Sequence, residues 1–146
     1  MSADSPSFSA IFSHLTGYSP MQWQHRLFHQ FMARRIPTAL DLPTGLGKTS
    51  VMPIWLIALA LVSDAASKDI PRRLVYIVDR RAVVDQATAE AEKLRAALEA
   101  DAKDLKELLR LDGSLPISTL RGQYVDNREW LENPAVPAIF VGSGSV

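Results

Sequence analysis

The sequence contains no cysteine and carries no net charge. The lack of cysteine among the 146 residues excludes a disulfide framework, a thiolate zinc site and a cysteine nucleophile, and it is typical of a reducing compartment. Lys and Arg number 16, and Asp and Glu also number 16, whereas a dedicated nucleic-acid coat protein is usually basic. Any contact with nucleic acid is therefore expected to be confined to one part of the surface.

Long apolar runs are also missing. The most apolar segment covers residues 51–62, and it is too short to span a bilayer, which needs about 20 residues. It predicts a buried helix instead. The polar N-terminus lacks the basic segment and apolar stretch of a secretory signal peptide. We therefore expect a cytoplasmic protein with no membrane contact.

Two acidic signatures are absent as well: the sequence has no Asp-Glu pair and no His-Asp pair. Its three histidines include His25 and His29, which lie four residues apart on a predicted helix and could share one face. A metal site needs more ligands than these two. Both are therefore interpreted as surface or packing residues, and no protein-only metal cluster is predicted.

What is present is an alternation of helical and strand patterns within a length that suits one domain. Such alternation predicts an α/β fold with a mostly parallel sheet and flanking helices. The helices are expected at 21–32, 49–67, 82–100 and 104–111, and the strands at 36–42, 72–79, 115–120 and 138–141. Because Pro53 lacks a backbone donor, we expect a kink or an irregular first stretch in the helix over 49–67.

A glycine-rich segment lies between the first predicted strand and the helix that follows. Residues 43–49 read Pro-Thr-Gly-Leu-Gly-Lys-Thr, close to the phosphate-binding pattern G-x-x-x-x-G-K-[ST], with Leu42 at the first position. Glycines let backbone N–H groups approach phosphate oxygens, and the following helix adds its positive dipole end. Lys48 would hold the β- and γ-phosphates of ATP, and the Thr49 hydroxyl would bind Mg²⁺.

This segment resembles motif I of superfamily 2 helicases, which often reads P-T-G-x-G-K-T. The resemblance implies a P-loop NTPase with a RecA-like fold, here the partial first motor domain of a helicase. The expected organisation is an irregular segment at 1–18, the partial RecA-like domain at 19–142 and a Gly/Ser tail at 143–146.

Upstream, residues 18–24 resemble the Q motif of the same helicases. In that motif a glutamine hydrogen-bonds the adenine, and a side-chain amide suits this task because it has both a donor and an acceptor. Gln24 is the match, with Gln22 as the alternative. Tyr18 is the candidate for stacking on adenine, whereas Trp23 is interpreted as core packing. The predicted nucleotide site comprises Tyr18, Gln24, Pro43, Thr44, Gly45, Leu46, Gly47, Lys48, Thr49 and Ser50, with Lys48 and Thr49 catalytic and Thr49 on Mg²⁺.

Two downstream segments resemble backbone-contacting motifs of these helicases. Residues 74–86 resemble motif Ia, and residues 118–123 resemble motif Ib. The resemblance implies that both contact the phosphates of a nucleic-acid strand. For the Arg pair of motif Ia, a solvated pair at a strand end is the alternative. The implied contacts are Arg80, Arg81, Gln86, Arg121 and Gly122.

Taken together, these segments make residues 17–142 similar to the helicase of CRISPR type I systems, closest to the helicase–nuclease of the I-U (I-G) form. That family implies ATP-driven movement along single-stranded DNA in antiviral defence, with a CRISPR surveillance complex as partner. The chain departs from it by lacking the acidic Asp-Glu motif II, the second motor domain and the His-Asp pair of the nuclease. The tail looks cut. We therefore expect the chain alone to bind ATP weakly and to hydrolyse almost none of it.

Two other functions stay open. One is a non-catalytic nucleotide-binding or interaction module that uses a degenerate motor fold. The other is a small P-loop kinase, against which Leu42 and the lack of an Arg-rich lid both count.

Overall fold

The computed structural model describes residues 7–39, 48–62, 70–78, 81–101, 105, 109, 115–121, 124–125 and 137–143. The chain divides into two compact units, residues 1–70 and 71–146. The first unit is helical, and the second carries the sheet. No helix in the described parts of the chain is both long and apolar enough to cross a membrane.

The first unit begins with helix α1, Phe8–Thr16. The expectation of an irregular segment over 1–18 is therefore wrong for these residues. The Ala10 N–H donates to Ser7 Oγ at 3.2 Å and so caps the helix start. Gly17 ends the helix in the left-handed conformation, with φ at 82°. The helix is stabilised by one buried face, made of Phe8, Phe12 and Leu15.

Helix α2, Gln22–Met32, confirms the helix predicted over 21–32. Its buried face carries Leu27, Phe28 and Phe31. The ring of Phe28 stacks on that of Phe8, with the centroids 4.3 Å apart and the planes 11° from parallel. Aromatic pairs of this kind add about 0.5–1.5 kcal/mol to the burial of their area.

The end of α2 places a non-glycine residue in the left-handed region. Arg34 has φ of 62°, its N–H donates to the Phe31 carbonyl at 3.0 Å, and the Arg35 N–H donates to the Gln30 carbonyl at 2.8 Å. These two hydrogen bonds form the Schellman arrangement that usually has glycine where Arg34 stands.

Residues 36–39 are not in a strand, so the predicted strand over 36–42 is wrong in its described part. Pro37 lacks the N–H that a ladder needs. Further on, a 3₁₀ turn at Lys48–Ser50 leads into helix α3, Val51–Leu61. The irregular start expected from Pro53 is thus confirmed, because Pro53 falls in the first turn of α3, where its missing donor costs little.

Helix α3 is apolar around its whole circumference. Every residue from Met52 to Ala60 is buried. In unit 1 it packs against α1 and α2. An all-apolar helix belongs in a core rather than at a surface, as its sequence predicted.

The second unit confirms the α/β fold with a mostly parallel sheet. Its elements are β1 Arg73–Val78, α4 Arg81–Asp101, β2 Ile117–Arg121, β3 Tyr124–Val125 and β4 Ala138–Ser143. Strands β1, β4 and β2 run parallel, and β3 joins β2 in the antiparallel sense, in the order β1-β4-β2-β3. Helix α4 packs on β1, β2 and β4.

Helix α4 buries residues at helical spacing, including Val84, Ala87, Ala91 and Leu94. It is also linked to β2 by a buried hydrogen bond between the Oγ1 atoms of Thr88 and Thr119, 3.1 Å apart. After α4, the Leu109 N–H donates to the Leu105 carbonyl at 3.0 Å. This hydrogen bond is one turn of the charged helix that was predicted over 104–111. The other residues of that predicted helix lie outside the described residues.

The continuous apolar run of β1 is typical of a strand buried on both faces of a parallel sheet, but Val75 and Ile77 are 55% and 65% exposed. Since β1 pairs with β4 on one side, it has a single described neighbour in the sheet. The strand is therefore less covered than a central strand of a parallel sheet.

Candidate nucleotide-binding site

The site in unit 1 is built around the turn Lys48–Ser50. The predicted loop residues Pro43, Thr44, Gly45, Leu46 and Gly47 lie outside the described residues. Lys48 opens the turn, and Thr49 in its middle is half-buried. The turn runs directly into the buried helix α3, so the backbone that carries these two residues is attached to the core of the unit.

Gln24 is tied to this turn by its side chain. Its Nε2 donates to Ser50 Oγ at 2.8 Å. Its Oε1 accepts from the Met21 N–H at 2.6 Å, and the residue is only 4% exposed. The structure therefore brings together two of the predicted site residues, Gln24 and Ser50, which lie 26 positions apart in sequence.

The bond to Met21 is one half of a capping box. Gln24 is the third residue of α2, and from there its amide oxygen satisfies the N–H of the residue that precedes the helix. A glutamine at this position of a helix is a signal that could have indicated the local role from sequence. The distant partner, Ser50, has no such signal.

Ser50 stands at the N-cap position of α3, yet its side chain makes no capping hydrogen bond there. A serine at this position usually accepts from an N–H of the first helical turn. Here its oxygen accepts from Gln24 instead. The position of Ser50 is thus determined jointly by α2 and α3.

The aromatic residues of the Q-like segment differ in exposure. Tyr18 is 76% exposed, and its backbone is held by Thr16, whose Oγ1 accepts from the Tyr18 N–H at 3.2 Å. Trp23 is half-buried, and its Nε1 is a buried donor without a partner among the described residues. Gln22, the alternative to Gln24, is exposed at the first position of α2.

A buried N–H without a partner costs about 1–3 kcal/mol. The orphan donor of Trp23 sits one residue before Gln24 and so lies in the segment predicted to meet adenine. An acceptor from a bound molecule would satisfy it. The turn itself carries two hydroxyl side chains, those of Thr49 and Ser50. Oxygen atoms of this kind are the ligands that Mg²⁺ prefers.

The two histidines of α2 contact aromatic rings. His25 meets Phe8 edge-on with the centroids 5.4 Å apart, and His29 lies 5.6 Å from Phe28. Each histidine therefore has a packing contact of its own, in line with the interpretation of both as surface or packing residues.

The residues predicted to contact nucleic acid belong to unit 2 and follow strand ends. Ile77 and Leu120 both pair with Gly142, so β1 and β2 end at the same edge on either side of β4. Arg81 opens α4 just after β1, and Arg121 ends β2. Gln86 is exposed on α4. Arg80 and Gly122 lie outside the described residues.

Ligands of open α/β sheets bind at the carboxyl ends of the parallel strands. With β4 between them, the ends of β1 and β2 are about 10 Å apart, since neighbouring strands are spaced by about 4.8 Å. The sheet thus carries the motif Ia-like and motif Ib-like segments to one edge, although some 40 residues separate them in sequence.

A mostly parallel sheet in unit 2, and in unit 1 a Lys-Thr-Ser turn that enters a buried helix, agree with the ATP-binding, helicase-like domain of superfamily 2 that a family comparison indicates. The family model described as "Type III restriction enzyme, res subunit" matches residues 17–118, more than half of the chain. The chain belongs to this family. Comparison with curated proteins and with solved structures gives no match.

Proposed function

We propose that this chain is the ATP-binding part of a DNA helicase of CRISPR type I interference. The observation that carries the proposal is the hydrogen bond from Gln24 to Ser50, because it joins the Q-like segment to the residues that follow Gly-Lys-Thr. In the superfamily 2 helicases that the chain resembles, these two segments bind the same nucleotide. A cytoplasmic location is part of the proposal and agrees with the absence of cysteine.

In this function Lys48 and Thr49 would hold the triphosphate and its Mg²⁺. The Lys48 ammonium would neutralise the β- and γ-phosphates, and the Thr49 hydroxyl would supply an oxygen to the ion. The segment 18–24 would receive the adenine. Hydrolysis is not expected of these 146 residues, because no Asp-Glu pair is present to orient the ion and the attacking water.

The DNA strand would lie across the edge of the sheet in unit 2. Arg80, Arg81 and Arg121 would contact its phosphates, with Gln86 and Gly122 beside them. Such contacts position a strand without reading its sequence. Confinement of the proposed contacts to one edge would agree with the zero net charge of the chain. A CRISPR surveillance complex is the proposed partner that delivers the single strand.

Nucleotide binding is tested by titration calorimetry of the chain with ATP and Mg²⁺, wild type against Lys48→Ala, with phosphate release followed in the same samples. Lys93→Ala is the matched control, since Lys93 is 75% exposed on α4 and its ion-pair partner among the described residues is Glu90, at 3.3 Å. We expect binding by the wild type and the control, loss of at least tenfold in Lys48→Ala, and no turnover.

Other results would point elsewhere. A folded wild type that does not bind ATP would favour the non-catalytic interaction module. Transfer of phosphate to an added small acceptor would favour the kinase. Steady turnover would show that the missing acidic pair has a substitute in the chain.

DNA binding is tested by fluorescence anisotropy of a labelled single strand over a series of salt concentrations. We expect the double variant Arg80→Ala/Arg81→Ala to bind more weakly and to lower the slope of log K against log[salt] by about 0.7 for each lost contact. Arg26→Ala, an exposed arginine of α2, is the control. An unchanged slope in the double variant would mean that this pair is solvated and contacts no DNA.

A further inference from the structure

Acidic residues are missing from the segment that contains α1 and α2. Residues 5–40 include the three arginines Arg26, Arg34 and Arg35 and neither Asp nor Glu, so the segment has a formal charge of +3 with its histidines neutral. The rest of the chain holds all 16 acidic residues and the other 13 basic ones, a formal charge of −3. The zero net charge of the chain therefore conceals a separation of charge. Such asymmetry is typical of proteins that bind an anionic partner over one part of their surface.

Two of the three arginines lie together where α2 ends. Arg34 and Arg35 come just after the C-cap of α2, and both are exposed. In the last turn of the helix, His29 and Gln30 are exposed as well. Arg26 is also exposed, but it precedes Arg34 by eight residues, or about 12 Å along a helix axis. The end of α2 therefore presents a local group of hydrogen-bond donors with two permanent positive charges.

Arg34 is also held in a conformation that favours glycine. Its φ is 62°, and its N–H donates to the Phe31 carbonyl at 3.0 Å. The left-handed conformation disfavours a side chain by about fivefold or more, whereas the negative end of the helix dipole favours a cation by about two- to fivefold. Together these two effects give arginine no advantage over glycine at position 34. Non-glycine residues in such conformations cluster at binding sites.

We propose that Arg34 and Arg35 form a second nucleic-acid contact of this chain, in unit 1, which holds the phosphates of a strand. A strand carries one negative charge for each nucleotide, so both arginines meet a phosphate on any sequence. The amide of Gln30 and the imidazole of His29 are further donors of the kind that contact phosphate and sugar oxygens. The inference deepens the proposed function, since it rests on the binding of single-stranded DNA.

The experiment measures binding of a labelled oligothymidylate to the full chain by fluorescence anisotropy over a series of salt concentrations. Arg34→Gly removes one charge and suits the left-handed conformation, so it preserves the fold. Arg35→Gln removes the other charge and keeps a long polar side chain. We expect each variant to lower the slope of log K against log[salt] by about 0.7, and the double variant to lower it by about 1.4.

Two further variants separate a local contact from general attraction. Arg34→Lys keeps the charge, so the slope should remain that of the wild type. Arg26→Ala removes the same charge from the same helix about 12 Å away, and it should leave the slope unchanged. A slope that falls as much in Arg26→Ala as in Arg34→Gly would overturn the inference, because DNA would then respond only to the overall charge of the segment.

The remaining outcomes distinguish the inference from the proposed function. An unchanged slope in the double variant, with a lowered slope in Arg80→Ala/Arg81→Ala, would overturn the inference and leave the contacts at the sheet edge in place. The opposite pattern would support the inference and refute the sheet-edge contacts. A labelled polyglutamate that binds more tightly than DNA through Arg34 and Arg35 would assign the surface to an acidic protein. A folded wild type that binds no oligothymidylate would refute both.

Discussion

Removal of the hydrogen bond between Thr88 and Thr119 is expected to weaken both the fold of unit 2 and its DNA contacts. The two side chains are 8% and 1% exposed, and their Oγ1 atoms are 3.1 Å apart. Valine has nearly the same shape as threonine but lacks the hydroxyl. Either single change leaves the other hydroxyl without this partner, and we expect each to cost about 1–2 kcal/mol of unfolding free energy.

The double variant Thr88→Val/Thr119→Val is the decisive one. It removes both hydroxyls together, so no buried polar group is left without this partner, and its cost should be smaller than the sum of the single costs by about 1 kcal/mol. Urea denaturation of the four proteins measures this coupling. Thr38→Val, at an exposed position outside any helix or strand, is the control and should change stability by less than about 0.5 kcal/mol.

The same variants connect stability with the proposed DNA contacts. Helix α4 begins at Arg81 and strand β2 ends at Arg121, so the Thr88–Thr119 bond links the elements that carry both contacts. Under conditions where the variants are fully folded, we expect each single variant to bind single-stranded DNA a few-fold more weakly. Strictly additive stability losses, with unchanged DNA affinity, would refute this reasoning.

Three further variants test other features. Arg34→Gly should be more stable than Arg34→Ala by about 1 kcal/mol in urea denaturation, because φ of 62° disfavours a Cβ; equal stabilities would contradict the Schellman arrangement. Trp23→Phe should lower the free energy of unfolding by less than about 1 kcal/mol, because it removes an orphan buried N–H. Trp55→Phe, at a site only 2% exposed, should lower it by about 2 kcal/mol. A reversed order would mean that the Trp23 N–H has a partner. Burial raises the pKa of Tyr76 above its ordinary value of 10.0, so the stability that this phenol contributes is complete below the ordinary pKa and is lost as the pH rises through the raised pKa. Tyr76→Phe should flatten this alkaline loss of stability in melting curves between about pH 9 and 11. An unaltered loss would assign it to other groups.

Much of the fold follows from local patterns in the sequence. The apolar positions of α2 recur at helical spacing, and β1 is a run of β-branched and apolar residues, so both elements were predicted within one or two residues. The α1 helix was missed, although Ser7 and the spacing of Phe8, Phe12 and Leu15 carry its signal. A Ser-rich composition argued against a helix there, and burial of the aromatic face outweighed it.

Other features depend on contacts that no local pattern contains. β3 has two residues, too few for any periodicity. No local pattern predicts the Gln24–Ser50 hydrogen bond either, because its partners lie 26 positions apart in sequence. The resemblance to helicases indicated that both residues belong to one site and assigned Gln24 to adenine. The contact between them became visible only in three dimensions.

The strand order also has a consequence for the time course of folding during synthesis. β1 and β2 do not touch each other, because β4 lies between them in the sheet. β4 begins at Ala138, about 60 residues after β1 ends at Val78. At about 5–20 residues per second, the ribosome needs several seconds to make that stretch. During this interval β1 lacks β4, its neighbour among the described strands, and the backbone N–H and C=O groups that will pair with β4 are open to other chains.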